Sequence, residues 1–215
     1  MRRIGLLHTG AVVIPAFATL TAEQWPGTEV LNLLDDRIVA DLRSEERRDS
    51  VRERVRDLVH AAAASGAEAV VLTCSSISGY AAPVAEEVGI PVLRIDEAMA
   101  DEAAAIGGRI AVLATLPTTL EPTCVLLEER LRLAGREATI ERVLVDGAFV
   151  AVVAGDRAEH DRLVGEAVRA ACERADVIVL AQASMASAAA GDHPVPVLSS
   201  PALGVARAKQ LLGLS

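Results

Sequence analysis

Gly66-Ala67-Glu68-Ala69-Val70-Val71-Leu72-Thr73-Cys74-Ser75-Ser76 is the stretch on which the reading of this chain turns. An unbroken apolar run, entered from a glycine and a charged residue and left through small polar ones, reads as a strand buried on both faces. Such strands belong to parallel sheets covered by helices. The same design returns later as Arg174-Ala175-Asp176-Val177-Ile178-Val179-Leu180-Ala181-Gln182-Ala183-Ser184. Two further pairs keep the same order. Arg3-Ile4-Gly5-Leu6-Leu7-His8-Thr9 matches Arg109-Ile110-Ala111-Val112-Leu113-Ala114-Thr115, and Ile90-Pro91-Val92-Leu93 matches Val195-Pro196-Val197-Leu198. Each pair alone is a common motif; pairs in one order at nearly constant offset indicate an internal repeat.

Strands are expected at Arg3–Leu7, Ala69–Thr73, Pro91–Ile95, Arg109–Ala114, Thr139–Val145, Val177–Leu180 and Pro194–Leu198, with helical patterns between them. The fold class is α/β: two similar doubly wound parallel-sheet halves, residues 1–107 and 108–200, with a C-terminal helix at 201–215 able to return to the first half. Ser44 is placed to cap a helix whose first turn carries Glu45 and Glu46. Val51, Val55, Leu58, Val59 and Ala62 form its apolar stripe, and Gly66 ends it. The charges along the rest of that helix, Arg47, Arg48, Arg52, Glu53, Arg54 and Arg56, read as a solvated face.

Composition narrows the function. The chain has 215 residues, 52% hydrophobic and 24% charged, with one Trp, one Tyr, two Phe and a net charge of -9. That is globular composition, with little aromatic surface for base stacking and no concentrated basic face, so nucleic acid is not an expected partner. The segment Met1 to His8 makes a poor signal peptide, and no apolar run is long enough for a membrane span; a soluble, cytosolic setting is expected. Three cysteines without CxxC or zinc-like spacing suggest neither a disulfide framework nor a metal site.

In doubly wound sheets ligands sit beyond the carboxyl ends of the strands, where loops and helix N-termini converge. The repeat therefore lines the expected site, in a cleft between the halves, with His8, Thr9, Thr73 to Ser76, Thr115 to Thr119 and Gln182 to Ser184. Cys74 leaves a strand and opens a helix, where the positive end of the helix dipole favours the thiolate. The other reading, a strand-end cysteine packed as a small hydrophobe, stays open. Cys124 and Cys172 fall on apolar helical stripes and read as core. His8 is either a second proton-transfer group or a hydrogen-bonded structural histidine. Asp146 and His193 are further candidates for a titratable group at the site, whereas His60 and His160, in charged helices, read as surface residues.

Val70-Val71-Leu72-Thr73-Cys74-Ser75-Ser76 resembles the first cysteine motif of the aspartate/glutamate/hydantoin racemase superfamily, and Ala175-Asp176-Val177-Ile178-Val179-Leu180 resembles the strand leading to its second cysteine. The resemblance implies two cysteines on opposite faces of a small carboxylate-bearing substrate, one removing a proton and the other delivering one, with no cofactor or metal and as a homodimer or higher homo-oligomer. It also implies that Thr9, Ser75, Ser76, Thr118, Thr119 and Ser184 hold the carboxylate. Helix N-termini, with their unpaired donors, suit that task, although capping is the ordinary use of such residues.

Here the second cysteine position is Gln182. An amide exchanges no useful proton at neutral pH, so two-thiol racemisation is not expected. Relatives include single-cysteine decarboxylases that keep the other thiol, and isomerases of unsaturated diacids. The expected activity is that of a cofactor-independent isomerase or lyase working beside a carboxylate through Cys74. A small-carboxylate-binding protein without catalysis is the alternative, and a cysteine hydrolase a third.

Overall fold

The computed structural model describes residues 2–214. In chain order the elements are β1 (Arg3–His8), α1 (Ile14–Gln24), β2 (Glu29–Leu34), α2 (Ile38–Asp41), α3 (Glu45–Ala64), β3 (Ala69–Leu72), α4 (Ser75–Ser78), α5 (Ala81–Val88) and β4 (Val92–Arg94). They continue with α6 (Glu97–Ile106), β5 (Gly108–Ala114), α7 (Pro117–Leu133), β6 (Ala138–Leu144), α8 (Ala148–Val153), α9 (Arg157–Cys172), β7 (Val177–Leu180), a 3-10 segment (Ala183–Ala189), β8 (Val197–Ser199) and α10 (Ser200–Leu212). All pairings are parallel, in two four-stranded sheets of order β2-β1-β3-β4 and β6-β5-β7-β8. The segments matched in the sequence occupy equivalent strands, β1 and β5, β3 and β7, β4 and β8.

Two compact units hold these sheets. One runs to Ile95 and takes up the chain again from Pro201; the other is Asp96–Ser200. The sequence reading places the join near Gly107-Gly108, whereas α6 packs on α7, β7 and β8 and so counts with the second unit. In the first unit the core is built on Leu7, Val70 and Leu72 with Val51, Val55, Val59 and Ala62 of α3. In the second unit Ala111, Leu113, Ile178 and Leu180 pack against Val164, Val168 and Ala171 of α9. Every residue of β3 and of β7 is buried, as expected for a strand covered on both faces.

Several local expectations are modified. Strand β2 is absent from the sequence reading because Glu29 and Asn32 interrupt its apolar pattern; it is a partly exposed edge strand. Strand β8 is shorter than expected. Pro194 and Pro196 bring no N–H to the ladder, although the Pro196 carbonyl still accepts from Ile178 N–H at 2.9 Å. Ser44 occupies the N-cap of α3 in extended backbone, but its side chain makes no capping bond. Gly66, at φ +84°, adopts the left-handed conformation that ends this helix. Arg54 is not merely solvated: it binds Asp35 through Nε (2.9 Å) and Asp41 through Nη1 (2.6 Å). Hydrogen bonding to Arg54 holds the Asp41 carboxyl below its ordinary range.

His160 is fully buried, not at the surface. It continues the Val164, Val168, Ala171 stripe one turn toward the N-terminus, and that spacing turns it inward. Its Nδ1 lies 2.8 Å from Asp161 Oδ1.

Helix α10 is held in the first unit by the Trp25 indole N–H, which donates to the Val205 carbonyl at 3.0 Å. Gly204 is buried against Ile95, and a Cβ there would fall on the Ile95 carbonyl. Gly204→Ala is expected to lower stability by about 1–3 kcal/mol through overpacking, read as a lower urea midpoint at unchanged m-value. A midpoint equal to that of the parent would refute the close packing of α10.

Candidate functional site

In the first unit the carboxyl ends of β1 and β3 gather His8, Thr9, Thr73, Cys74, Ser75 and Ser76. Cys74 is half-buried in extended backbone (φ -125°, ψ 122°) and precedes α4 directly. Its carbonyl accepts from Ile77 N–H (3.1 Å) and Ser78 Oγ (3.2 Å). The helix it opens is a single turn, a shorter column of peptide dipoles than the sequence reading assumes. Ser75 is buried, Ser76 and Thr9 half-buried.

His8 is fully buried and tilted against Phe17, ring centroids 5.6 Å apart. Both ring nitrogens have partners: Nδ1 lies 2.9 Å from Thr73 Oγ1, and Nε2 lies 3.0 Å from Asn32 Oδ1. Thr73 Oγ1 is also 2.9 Å from the Leu7 carbonyl. Asn32 is a residue that sequence reasoning missed; the signal was a lone amide in the apolar run Val30 to Leu34. Burial pushes the His8 imidazole below its ordinary value, opposed by the bond to Asn32, so the ring is held neutral.

In the second unit the equivalent strand ends gather Thr115, Thr118, Thr119, Gln182 and Ser184. Gln182 Oε1 accepts from both the N–H (2.6 Å) and the hydroxyl (2.9 Å) of Thr115. With its oxygen so engaged, the side chain is oriented to offer its NH2 group, two donors and no acceptor. Helix α7 begins at Leu116-Pro117 without a side-chain cap. Pro117 supplies no N–H, and those of Thr119 and Leu120 turn back to the Leu116 carbonyl (3.1 and 3.0 Å), so donor capacity in that turn centres on Thr118. The Thr118 hydroxyl is shielded from solvent and has no partner among the described residues. Thr119 is buried and Ser184 half-buried.

The remaining candidates differ in exposure. Asp146 is exposed, and His193 is half-buried in the loop Gly191 to Val197. Cys124 is buried within α7, and burial pushes its thiol up to about 11, which makes it a poor nucleophile. Cys172 is half-buried and packs on the second core. Among the described residues no group of three or more His, Cys, Asp or Glu is arranged to hold a metal ion, and no helix is long and apolar enough to cross a membrane.

Each unit is a parallel α/β sheet of the same strand order, with small polar residues at its strand ends and, in the first, a thiol. The profile of the Asp/Glu/Hydantoin racemase family matches residues 7–208, and the chain belongs to that family. No protein of curated function matches the sequence. Among solved structures, allantoin racemase from Klebsiella pneumoniae is similar at 22% identity and a TM-score of 0.72, over 100% of this chain and 90% of that one. Glutamate racemase from Francisella tularensis subsp. tularensis SCHU S4, in complex with D-glutamate, is similar at 14% identity and a TM-score of 0.77, over 99% and 81%. Arylmalonate decarboxylase is similar at 21% identity and a TM-score of 0.61, over 98% and 92%. At these identities the likeness is one of fold.

The state of His8 gives a pH prediction. The unfolded chain takes up a proton on this ring as the pH falls through about 6.5, while the folded chain, with its lowered pKa, does not. His8 therefore contributes stability that is fully present above that pH and is lost as the pH falls toward the folded pKa. Urea titrations are expected to show unfolding free energy declining below about pH 6.5, with a shallower decline in His8→Gln. Equal slopes for the two proteins would exclude a depressed His8.

Proposed function

We propose that this protein is a cofactor-independent isomerase or lyase acting beside the carboxylate of a small organic or amino acid, with Cys74 as its acid/base or nucleophilic group. The observation that carries this reading is the inequality of two equivalent strand ends: a half-buried thiol at Cys74, and at Gln182 an amide whose oxygen is already bound by Thr115. A thiol can remove a proton from carbon and return it. The amide donates hydrogen bonds, which suits it to a carboxylate or to the charge that develops in an enediolate.

Chemistry served by one thiol follows. In a lyase reaction the bond to a second carboxylate breaks, CO2 leaves, and the bonding electron pair passes into the enediolate. The Cys74 S–H then delivers its proton to carbon, and solvent reprotonates the sulfur. In an isomerase reaction the Cys74 thiolate takes the proton and gives it back, on the face from which it came, at a conjugated carbon, so that the double bond moves. Gln182, Thr9, Ser75, Ser76, Thr118, Thr119 and Ser184 are the residues assigned to the substrate. Thr73 and Thr115, whose hydroxyls are engaged within their own units, support them. A second reading, a carboxylate-binding protein without turnover, draws on the same lack of a second thiol.

Incubation with a panel of amino, hydroxy and dicarboxylic acids in D2O is expected to show deuterium incorporation beside the carboxylate of the true substrate. Cys74→Ala should lower that rate by about a thousandfold while calorimetry still detects binding. Gln182→Cys, which supplies the second thiol, should add inversion at the exchanging carbon. Ligand binding with no exchange or decarboxylation in the parent protein would establish the binding reading instead.

A further inference from the structure

What fixes the point at which the Cys74 thiol leaves the sheet differs from what fixes Gln182. In both units the strand preceding the site residue continues one residue past its ladder through a backbone bond. Thr73 N–H donates to Leu7 O at 3.0 Å, and Ala181 N–H donates to Leu113 O at 2.9 Å. Beyond that bond the units diverge. Gln182 is held directly, by its own oxygen on Thr115. A thiol is too weak an acceptor to be held in this way.

Beneath Cys74 there is instead a chain of side chains. The His8 ring is neutral and carries one proton. With the Asn32 carbonyl oxygen as partner, that proton belongs on Nε2, and Nδ1 is left as an acceptor. The Thr73 hydroxyl then faces two acceptors at 2.9 Å, Nδ1 and the Leu7 carbonyl, and the carbonyl also accepts from the Thr73 N–H. Bonds to both the His8 ring and the Leu7 carbonyl hold the side chain of the residue before Cys74. The register assigns counterparts in the second unit: Ala114 for His8, Ala181 for Thr73 and, one strand over, Arg142 for Asn32. The alanine side chains are methyl groups without a polar atom, and Arg142 pairs with Glu121 and Glu128. These three counterpart positions of the unit that carries the amide therefore do not repeat the chain of the unit that carries the thiol.

We propose that Asn32, His8 and Thr73 form a positioning relay for Cys74, in which Asn32 sets the His8 ring, His8 holds the Thr73 hydroxyl, and Thr73 fixes the backbone from which the thiol is presented. The proposal rests on the reading of Cys74 as the reacting group and assigns His8 to support, not to proton transfer with substrate. Asn32 lies exposed on the edge strand β2, so its replacement leaves the core intact while removing the partner of Nε2.

The test is the rate of alkylation of Cys74 by iodoacetamide across the thiol titration range, read by peptide mass mapping, with the Cys172 peptide as internal control. Asn32→Leu and Thr73→Val are each expected to change the Cys74 rate by roughly threefold to tenfold, or to move its pH midpoint by about half to one unit, the scale of one hydrogen bond. Thr73→Ser, which keeps the hydroxyl, should restore the parent profile, and the Cys172 rate should not move. Profiles of Asn32→Leu and Thr73→Val that superimpose on the parent would overturn the relay. If Thr73→Val does not fold, Asn32→Leu alone decides in either direction. Turnover on the acid panel is scored separately: a shifted alkylation profile with no turnover in the parent supports the relay and sinks the catalytic reading, while turnover with an unmoved profile sinks the relay alone.

Discussion

Parallel pairing of a central strand with its neighbour, continued by a single backbone bond beyond the ladder, is the constraint on which the site of each unit depends. Thr73 N–H to Leu7 O and Ala181 N–H to Leu113 O are the last sheet-like bonds before the chain turns away. Because β3 and β7 are buried along their whole length, neither strand can slip by one residue without turning its side chains onto the wrong faces of the sheet. The residue that follows, Cys74 or Gln182, is therefore delivered to a defined place by the packing of apolar residues that have no chemistry of their own.

Within that shared frame the two units hold their site residues by different physical means. An amide has an oxygen that a neighbour can grip, and Thr115 grips it with both an N–H and a hydroxyl. A thiol has no such handle, and the polar groups of the first unit are arranged one residue earlier, on Thr73, with His8 and Asn32 behind it. Keeping a neutral imidazole fully buried is tolerable because both of its nitrogens are bonded. The same logic sorts the cysteines: Cys124, wrapped in apolar helix, is pushed toward the thiol form, whereas Cys74 stands half-buried at a strand end.

Much of this was legible in the linear sequence. The buried strands announce themselves as continuous apolar runs, and their recurrence in order pointed to a second sheet. The same recurrence set Gln182 against Cys74. The features that escaped are those whose signal is mixed or long-range. Strand β2 alternates on an exposed edge and includes Asn32, so its pattern is broken. His160 is buried because it extends an apolar stripe by one turn, though the residues beside it are charged. Arg54 reads as one more surface cation until Asp35 and Asp41 are brought to it by the turn after β2.

By itself the sequence determined the class of fold, the strands that carry the candidate residues, and the presence of one thiol and one amide at matched positions. Periodicity and repeat are local properties of the chain and survive without coordinates. Only the tertiary structure decided how those side chains are held: that His8 is shared between Thr73 and Asn32, that the oxygen of Gln182 is taken by Thr115, and that α4 is a single turn. Each of these is a hydrogen bond or a helix end made between residues far apart in the chain or set by packing. No spacing rule reaches them, because their partners meet only after the strands have paired.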